Sequence, residues 1–498
     1  MGIIARQSSK AALVTYIGVA LGLLNQIIVY PLALSIDKLG ELQFVLQTAS
    51  FFPPFILLGL NAVITKYYAN YSYEPELKQS LYGAVVLTVS LNSVVFLALF
   101  LAFKDTIISY YNEASGISSL AVYVLIALSI LFSYSSLASS IAAIRGRIAI
   151  PNLLNQLVKI ILPILALLYF TKWISFDQVL ISLLAYYVSL TIFYIYYITR
   201  QDEIKPNLSL PSMINRLDLK SLSIFGFFSL LSGIGASLTT KIDIIMITSS
   251  LGAYQNGLYS WALFIANAIS IPYMLISVIA TPIISSYFKN EDYDAIERLY
   301  KTSSASILLL ALLAFFTLWL SIDDLFLLMP RGNEFNKAKN MVLILGVAAI
   351  VDMACGVNSH IISMSQKFKY LLIFLFIAVL LNVSLNYLLI PKYGIEGSGI
   401  ATLVSIFVFN VCKYIFIKKH LKISPFSSKT IQIALLGISL YIVTTLIPGT
   451  EFPLLNILIN TSFFGGLFIL AAYKLKLSPE INQFVNKQLI RIRIQPFD

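Results

Sequence analysis

Long apolar runs alternate with short polar punctuation from the start of the chain to its end. Each run reaches about 20 residues, enough as a helix to cross a hydrocarbon core of about 30 Å, and about fourteen such spans are expected. Inside the runs the polar residues keep helical spacing. The first span, about residues 11 to 35, carries Thr15, Gly18, Gly22, Asn25 and Gln26 on one face, a stripe suited to close packing or to a lumen. The second carries Gln43, Gln47 and the pair Pro53-Pro54, which should break the helix at mid-membrane and free carbonyls that need partners. The third and fourth, about 81 to 103 and 118 to 144, are joined by an outer loop containing Tyr110-Tyr111-Asn112-Glu113. Ser129, Ser133, Ser136 and Ser140 line one face of the fourth, more a packing face than a substrate surface. In the fifth, Asn152, Asn155, Gln156 and Lys159 share one side of a Leu/Ile-rich helix, which packing alone does not explain.

The second half repeats the first. An outer turn over 37 to 41, with Leu39-Gly40-Glu41-Leu42-Gln43, recurs as Leu251-Gly252-Ala253-Tyr254-Gln255, and residues 251 to 257 are expected to form the turn between the seventh and eighth spans. The basic turn Arg145-Gly146-Arg147 before the fifth span recurs as Gln366-Lys367-Phe368-Lys369-Tyr370 before the eleventh. Six spans per half is an even number, so the halves are oriented alike. The fold class expected is an all-α polytopic membrane protein: two parallel six-helix repeats around a central cavity, plus two C-terminal helices. The halves run over 1–200 and 222–420, a linker with Lys205 and Arg216 over 201–221, and two further spans with a basic tail over 421–498. The added spans, about 430 to 448 and 455 to 473, have almost no polar residues and should face lipid.

Charge inside spans narrows the functional candidates. One ionised side chain at the centre of a membrane helix costs roughly 3 kcal/mol or more, so such residues should face protein or a water-filled cavity. Lys241 and Asp243 on the seventh span are two positions apart, about 200° of rotation, and cannot share a face. Lys241 looks toward Gly226, Gly233 and Ser237; Asp243 sits beside Thr239 and Thr240. Asp352 on the tenth span shares a face with Ser359 and Ser363. Lys413, at the inner end of the twelfth, is expected to snorkel to the headgroups. His360 and His420 lack metal-ligand company.

Composition agrees with the pattern. Hydrophobic residues make up 58% and charged residues 11%, against about 25% charged in a soluble domain. A net charge of +11 would suit nucleic acid, but most Lys and Arg fall in loops on the N-terminal side. That is the positive-inside pattern, which places both termini in the cytoplasm and argues against a nucleic-acid partner. Residues 1–10 lack a cleavage site, so the first apolar run reads as a span rather than a signal. Cys355 and Cys412 lie within spans, outside any disulfide framework. No Gly-rich phosphate loop, Cys/His cluster or nucleophile elbow occurs, so neither an enzyme nor a cofactor or metal is expected. No nucleotide-binding domain is present to drive an ATP-powered pump.

Taken together, these residues resemble the polysaccharide transporter or oligosaccharide flippase (Wzx-type) branch of the multidrug/oligosaccharidyl-lipid/polysaccharide exporter superfamily. The resemblance is carried by Asp243, the turn Leu251-Gly252 with Gly257-Leu258-Tyr259-Ser260, and the run Gly332-Asn333-Glu334-Phe335-Asn336-Lys337-Ala338 before the tenth span. It extends through the order and number of spans over nearly the whole chain. The first-half turn has Val45 where the family pattern favours glycine, and the first span has Asn25 and Gln26 in place of the arginines of the lipid II flippase branch, which speaks against a peptidoglycan precursor. The resemblance implies transfer of a polyprenyl-diphosphate-linked oligosaccharide from the inner to the outer leaflet of a bacterial inner membrane, for O-antigen, capsule or exopolysaccharide. A monomer is expected, associating with polysaccharide-assembly proteins and membrane lipid. In that setting Lys159 and Lys241 are the deep cations for the diphosphate. Asn25, Gln26, Gln47, Asn152, Asn155, Gln156 and Asn267 are the sugar contacts, and Asp243 or Asp352 binds a coupling proton or sodium ion. Two alternatives stand beside it: a drug or cation antiporter of the same superfamily, which would want a more acidic first-half cavity, and a surface-polysaccharide polymerase or ligase.

Overall fold

The proline pair shapes the second span. In the computed structural model, which describes residues 17–71, 74–144, 149–201, 207, 209 and 217–491, helix α1 (Ile17–Ala33) is followed by α2 (Ile36–Ala49), α3 (Pro53–Leu57) and α4 (Leu60–Asn70). Pro53 and Pro54 open α3, where their missing N–H groups cost nothing. At the other end Leu58 and Gly59 are both left-handed, φ 47 and 77, and the span bends by 55°. The break expected at the prolines therefore occurs on both sides of them. Asn92 donates to the freed Ile56 carbonyl at 2.9 Å, which lipid could not do.

Helices α5 (Pro75–Ser115), α6 (Ser119–Ile144), α7 (Ala149–Phe170) and α8 (Phe176–Gln201) follow. Residues 110–113, expected as a loop, are the last turns of α5. The turn expected at 37–41 is likewise helical: the break lies at Leu34-Ser35, and Ser35 caps α2 by accepting the Lys38 N–H. Buried Glu41 then accepts the Ser118 N–H at the start of α6 and pairs with Lys38 at 2.8 Å. Asp218, which caps the next helix, receives side-chain and backbone hydrogen bonds from Ser221 that hold its carboxyl below the usual carboxylate range.

That helix, α9 (Leu219–Ala268), has one non-helical residue, Gly252 at φ 85 and ψ 177. Only glycine adopts this conformation without cost. The turn expected over 251–257 is thus a single residue, and Ala253 to Gly257 already belong to the next helical run. A Cβ on Gly40 would overlap the Ala253 carbonyl oxygen, and one on Gly257 would overlap that of Ile36. The contact is reciprocal, and a shift of 217 residues relates 36 to 253 and 40 to 257. It replaces the 40-to-252 pairing read from the sequence. The same shift relates Gln26 to Asp243, two buried polar residues each nine positions before a helix break.

Two compact units emerge, residues 1–260 and 261–498. In the first, α6 packs against α2, α3, α4, α5 and α8, around a core with Ile56, Val63, Val85 and Tyr194. The second begins within the last part of α9 and continues through α10 (Ile271–Lys289), α11 (Tyr293–Leu328), α12 (Lys339–Ala354), α13 (Asn358–Met364), α14 (Lys369–His420), α15 (Ser428–Thr445), α16 (Pro453–Lys474) and α17 (Pro479–Arg491). Its centre is α11, which packs against α10, α12, α15 and α16. Helices α15 and α16 bury Ile433, Phe464 and Phe468 in this core and leave most of their other apolar residues exposed. The tenth span bends by 48° between α12 and α13, and Ser304 donates to the freed Ala354 carbonyl at 2.6 Å. Residues Gly332, Phe335 and Ala338 are buried, with Phe335 beside Trp261. The buried positions of this spaced run serve packing, while Asn333, Glu334, Asn336 and Lys337 between them are exposed.

Among the described residues, ten helices are long and apolar enough to cross a membrane, twelve if each bent pair is one span. About fourteen were expected. Part of the difference lies at Gly252 and Gly394, where glycines with positive φ interrupt helical runs of 50 and 52 residues, each about 75 Å long and so more than one crossing. Thr15, the basic turn Arg145-Gly146-Arg147, Lys205 and Arg216 of the linker, and Arg493 of the tail lie outside the described residues.

Candidate functional site

Three membrane lysines meet three different environments. Lys241 extends from α9 to the Gln47 side-chain carbonyl on α2, and the Gln47 amide Nε2 lies 3.5 Å from the side-chain Oε1 of Gln43. No carboxylate pairs with Lys241 among the described residues. The face it shares with Gly226, Gly233 and Ser237 lies along the broken second span: a Cβ at Gly226 would sit 3.3 Å from the Leu58 carbonyl oxygen, and one at Gly233 would sit 3.3 Å from Pro54. A cavity of about 370 Å³ opens there, lined by Pro53, Pro54, Asn61, Ser136, Ser229 and Gly233. Gly233 is eight residues from Lys241, about 12 Å along the helix.

Lys159, half-buried on α7, has no ion pair or hydrogen bond to its amine among the described residues, while its backbone carbonyl accepts Asn25 Nδ2 at 2.7 Å. Asn25 begins a π-helical stretch, Asn25–Val29, inside α1. Widened turns of this kind recur at functional sites in helices. Of the other expected sugar contacts, Gln26 is buried and Asn152 half-buried. Asn155 is exposed and accepts the Tyr194 hydroxyl at 3.2 Å. Gln156 packs where a Gly18 Cβ would stand. Asn267 is exposed near the end of α9, in the second unit.

Lys413 corrects the expectation of snorkelling. It is 1% exposed, donates to Ser359 at 3.0 Å, lies 3.9 Å from Asp352 Oδ1 and sits 3.9 Å over the Phe409 ring. Asn410 donates to Asp352 at 2.8 Å, and Asn358 donates to Asn410 at 2.9 Å. Asp352 and Ser359 both reach Lys413, but from two helices that bend apart between Ala354 and Asn358 rather than from one continuous face, and Ser363 instead donates to the His360 carbonyl. Asn358, Asn410 and Lys413 join the network from positions that sequence reading did not connect. Asn410 and Lys413 stand three apart on α14, a spacing that was the available signal. The other carboxylate, Asp243, is buried and accepts the Tyr259 hydroxyl at 2.8 Å. His360 meets Thr281 at 3.0 Å. A second polar ladder, Asn382, Asn386 and Thr402 within α14, had also gone unread.

The first unit thus carries two membrane amines without a paired carboxylate among the described residues, beside a polar, broken span. The second carries a lysine neutralised by an aspartate. An arrangement of the first kind can hold an anionic group; one of the second can bind or release a cation.

Comparison with known proteins agrees with this architecture. A family model described as polysaccharide biosynthesis protein matches residues 5–288, and a MatE model matches residues 229–388. An uncharacterized membrane protein of Methanocaldococcus jannaschii is 28% identical over 36% of this chain and 42% of its own length. A probable low-salt glycan biosynthesis flippase, Agl15, of Haloferax volcanii is 24% identical over 42% of this chain and 44% of its own. The chain therefore spans less than half the length of these curated relatives. Among solved structures, the lipid II flippase MurJ in an inward closed conformation superposes with a TM-score of 0.74 at 16% identity, over 93% of this chain and 98% of that one. An inward-facing multidrug resistance MATE transporter gives 0.63 at 15%, over 81% and 94%. These likenesses speak for the fold, while the family match spans more than half of the sequence. The chain belongs to the polysaccharide biosynthesis protein family, within the multidrug/oligosaccharidyl-lipid/polysaccharide exporter superfamily.

Proposed function

We propose that this protein is a flippase that carries a polyprenyl-diphosphate-linked oligosaccharide from the cytoplasmic to the outer leaflet of the cytoplasmic membrane, for surface glycan assembly. The observation that carries the reading is Lys241, a membrane amine whose side-chain partner is the neutral Gln47, on the helix whose Gly233, about 12 Å away, lines a cavity at the broken span. A charge kept in a span without a counter-ion is costly and calls for a ligand. A diphosphate oxygen 4 Å away would gain about 4 kcal/mol per charge pair at an effective dielectric of 20. Lys159 adds a second cation from α7, and Gln43, Gln47 and Asn61 add amides for sugar hydroxyls. The prenyl tail stays in lipid, so only the headgroup needs a polar path. Helix breaks at Leu58-Gly59 and between α12 and α13 give the bundle places to bend as access alternates. Asp352, in reach of Lys413, is proposed to take the coupling proton or sodium ion, with Asp243 as the second carboxylate. The excess of Lys and Arg in loops on the N-terminal side supports cytoplasmic termini.

A cationic drug as cargo is disfavoured, since Lys159 and Lys241 would repel it. The test is flipping of a fluorescent polyprenyl-diphosphate oligosaccharide in proteoliposomes. Lys241→Ala and Lys159→Ala should each slow flipping at least tenfold while Lys241→Arg retains most of it. Undiminished flipping in both alanine variants refutes the cargo path. Short, exported, unpolymerised units in cells carrying them would favour the polymerase.

A further inference from the structure

Pro163 stands inside α7 and has no N–H to offer the carbonyl four residues earlier, that of Lys159. In a membrane helix such a carbonyl needs another donor. It finds one in Asn25 Nδ2, 2.7 Å away, from the π-helical stretch of α1. Asn25 is 3% exposed, so its amide is committed to the protein and closed to a passing sugar. The gap in the helix and the side chain that fills it coincide at the one residue of α7 that carries a charge.

We infer that Asn25 is a positioning residue for Lys159: by holding the carbonyl that Pro163 leaves without a donor, it sets the local backbone and hence the direction in which the Lys159 amine points. Its chemistry is donation to a backbone oxygen, which differs from the sugar contact suggested by its place in the polar stripe of the first span. The effect on transport rests on Lys159 meeting the diphosphate; the positioning itself does not.

The complementary substitution is Pro163→Ala, which restores an N–H able to reach the Lys159 carbonyl within α7. The full-length protein in nanodiscs is compared as wild type, Asn25→Ala, Pro163→Ala and the double variant, by the rate at which a water-soluble amine reagent modifies Lys159, read by mass spectrometry against the other lysines. Asn25→Ala should change that rate at least threefold, and the double variant should return it to the Pro163→Ala value. Flipping by Asn25→Ala should fall about tenfold in parallel. Unchanged labelling in Asn25→Ala, or a double variant as perturbed as Asn25→Ala, overturns the inference. Since labelling does not depend on transport, it still decides the matter if Pro163→Ala itself impairs flipping. Normal flipping by Lys159→Ala alongside the expected labelling cycle would sink the cargo role of Lys159 and leave the positioning intact.

Discussion

The pair Asp352 and Lys413 is lopsided, and the lopsidedness is measurable. The Lys413 side chain is 2% accessible and that of Asp352 is 42%, with 3.9 Å between amine and carboxylate. At an effective dielectric of 20 this separation corresponds to about 4 kcal/mol of attraction, and the open side of Asp352 screens part of it. Asp352→Asn removes the counter-charge from a buried amine and leaves it Ser359 and the Phe409 ring. The cost should be about 2–4 kcal/mol, since the roughly 3–5 kcal/mol for stripping one partner from a fully buried ion pair is reduced by the open side of Asp352. Lys413→Met keeps the stem volume and leaves an aspartate that is still accessible and still accepts from Asn410, so the cost should be about 1 kcal/mol or less. The double variant should lie near wild type. Thermal unfolding in detergent reads these differences at roughly 1–2 °C per kcal/mol for a chain of this length. Equal destabilisation by the two single variants, or a larger loss from Lys413→Met, would refute the assignment of the buried charge to Lys413. Because the double variant should fold, it also isolates the ion-coupling role: it should bind glycolipid and lose dependence on the ion gradient.

Gly40→Ala and Gly257→Ala should each lower stability by about 1–3 kcal/mol, because the added methyl meets backbone oxygen rather than a movable side chain. Gly466→Ala, inside α16 with open space around it, should instead be neutral or stabilising by up to about 1 kcal/mol in the same melting assay. Ser304→Ala should cost about 1–3 kcal/mol by orphaning the Ala354 carbonyl at the bend of the tenth span; hydrogen exchange should rise locally around Cys355 to Val357.

The order of apolar runs, the proline break, the doubled pattern and the isolation of charge in the spans were all determined by the sequence, because hydrocarbon punishes every unsatisfied polar group and the chain must show where it meets that condition. The face of α9 bearing Gly226, Gly233 and Lys241 was equally legible, since helical periodicity alone brings those positions together. Partnership was decided by tertiary structure. The π-helical turn at Asn25, the meeting of its amide with a carbonyl 134 residues away, and the burial of Lys413 against Asp352 depend on how helices distant in sequence are packed. A snorkelling lysine and a paired one have the same local sequence. The register of the repeat was settled in the same way, at Gly40 and Gly257, where two backbones approach too closely for any side chain and so fix one alignment that turn similarity had misplaced.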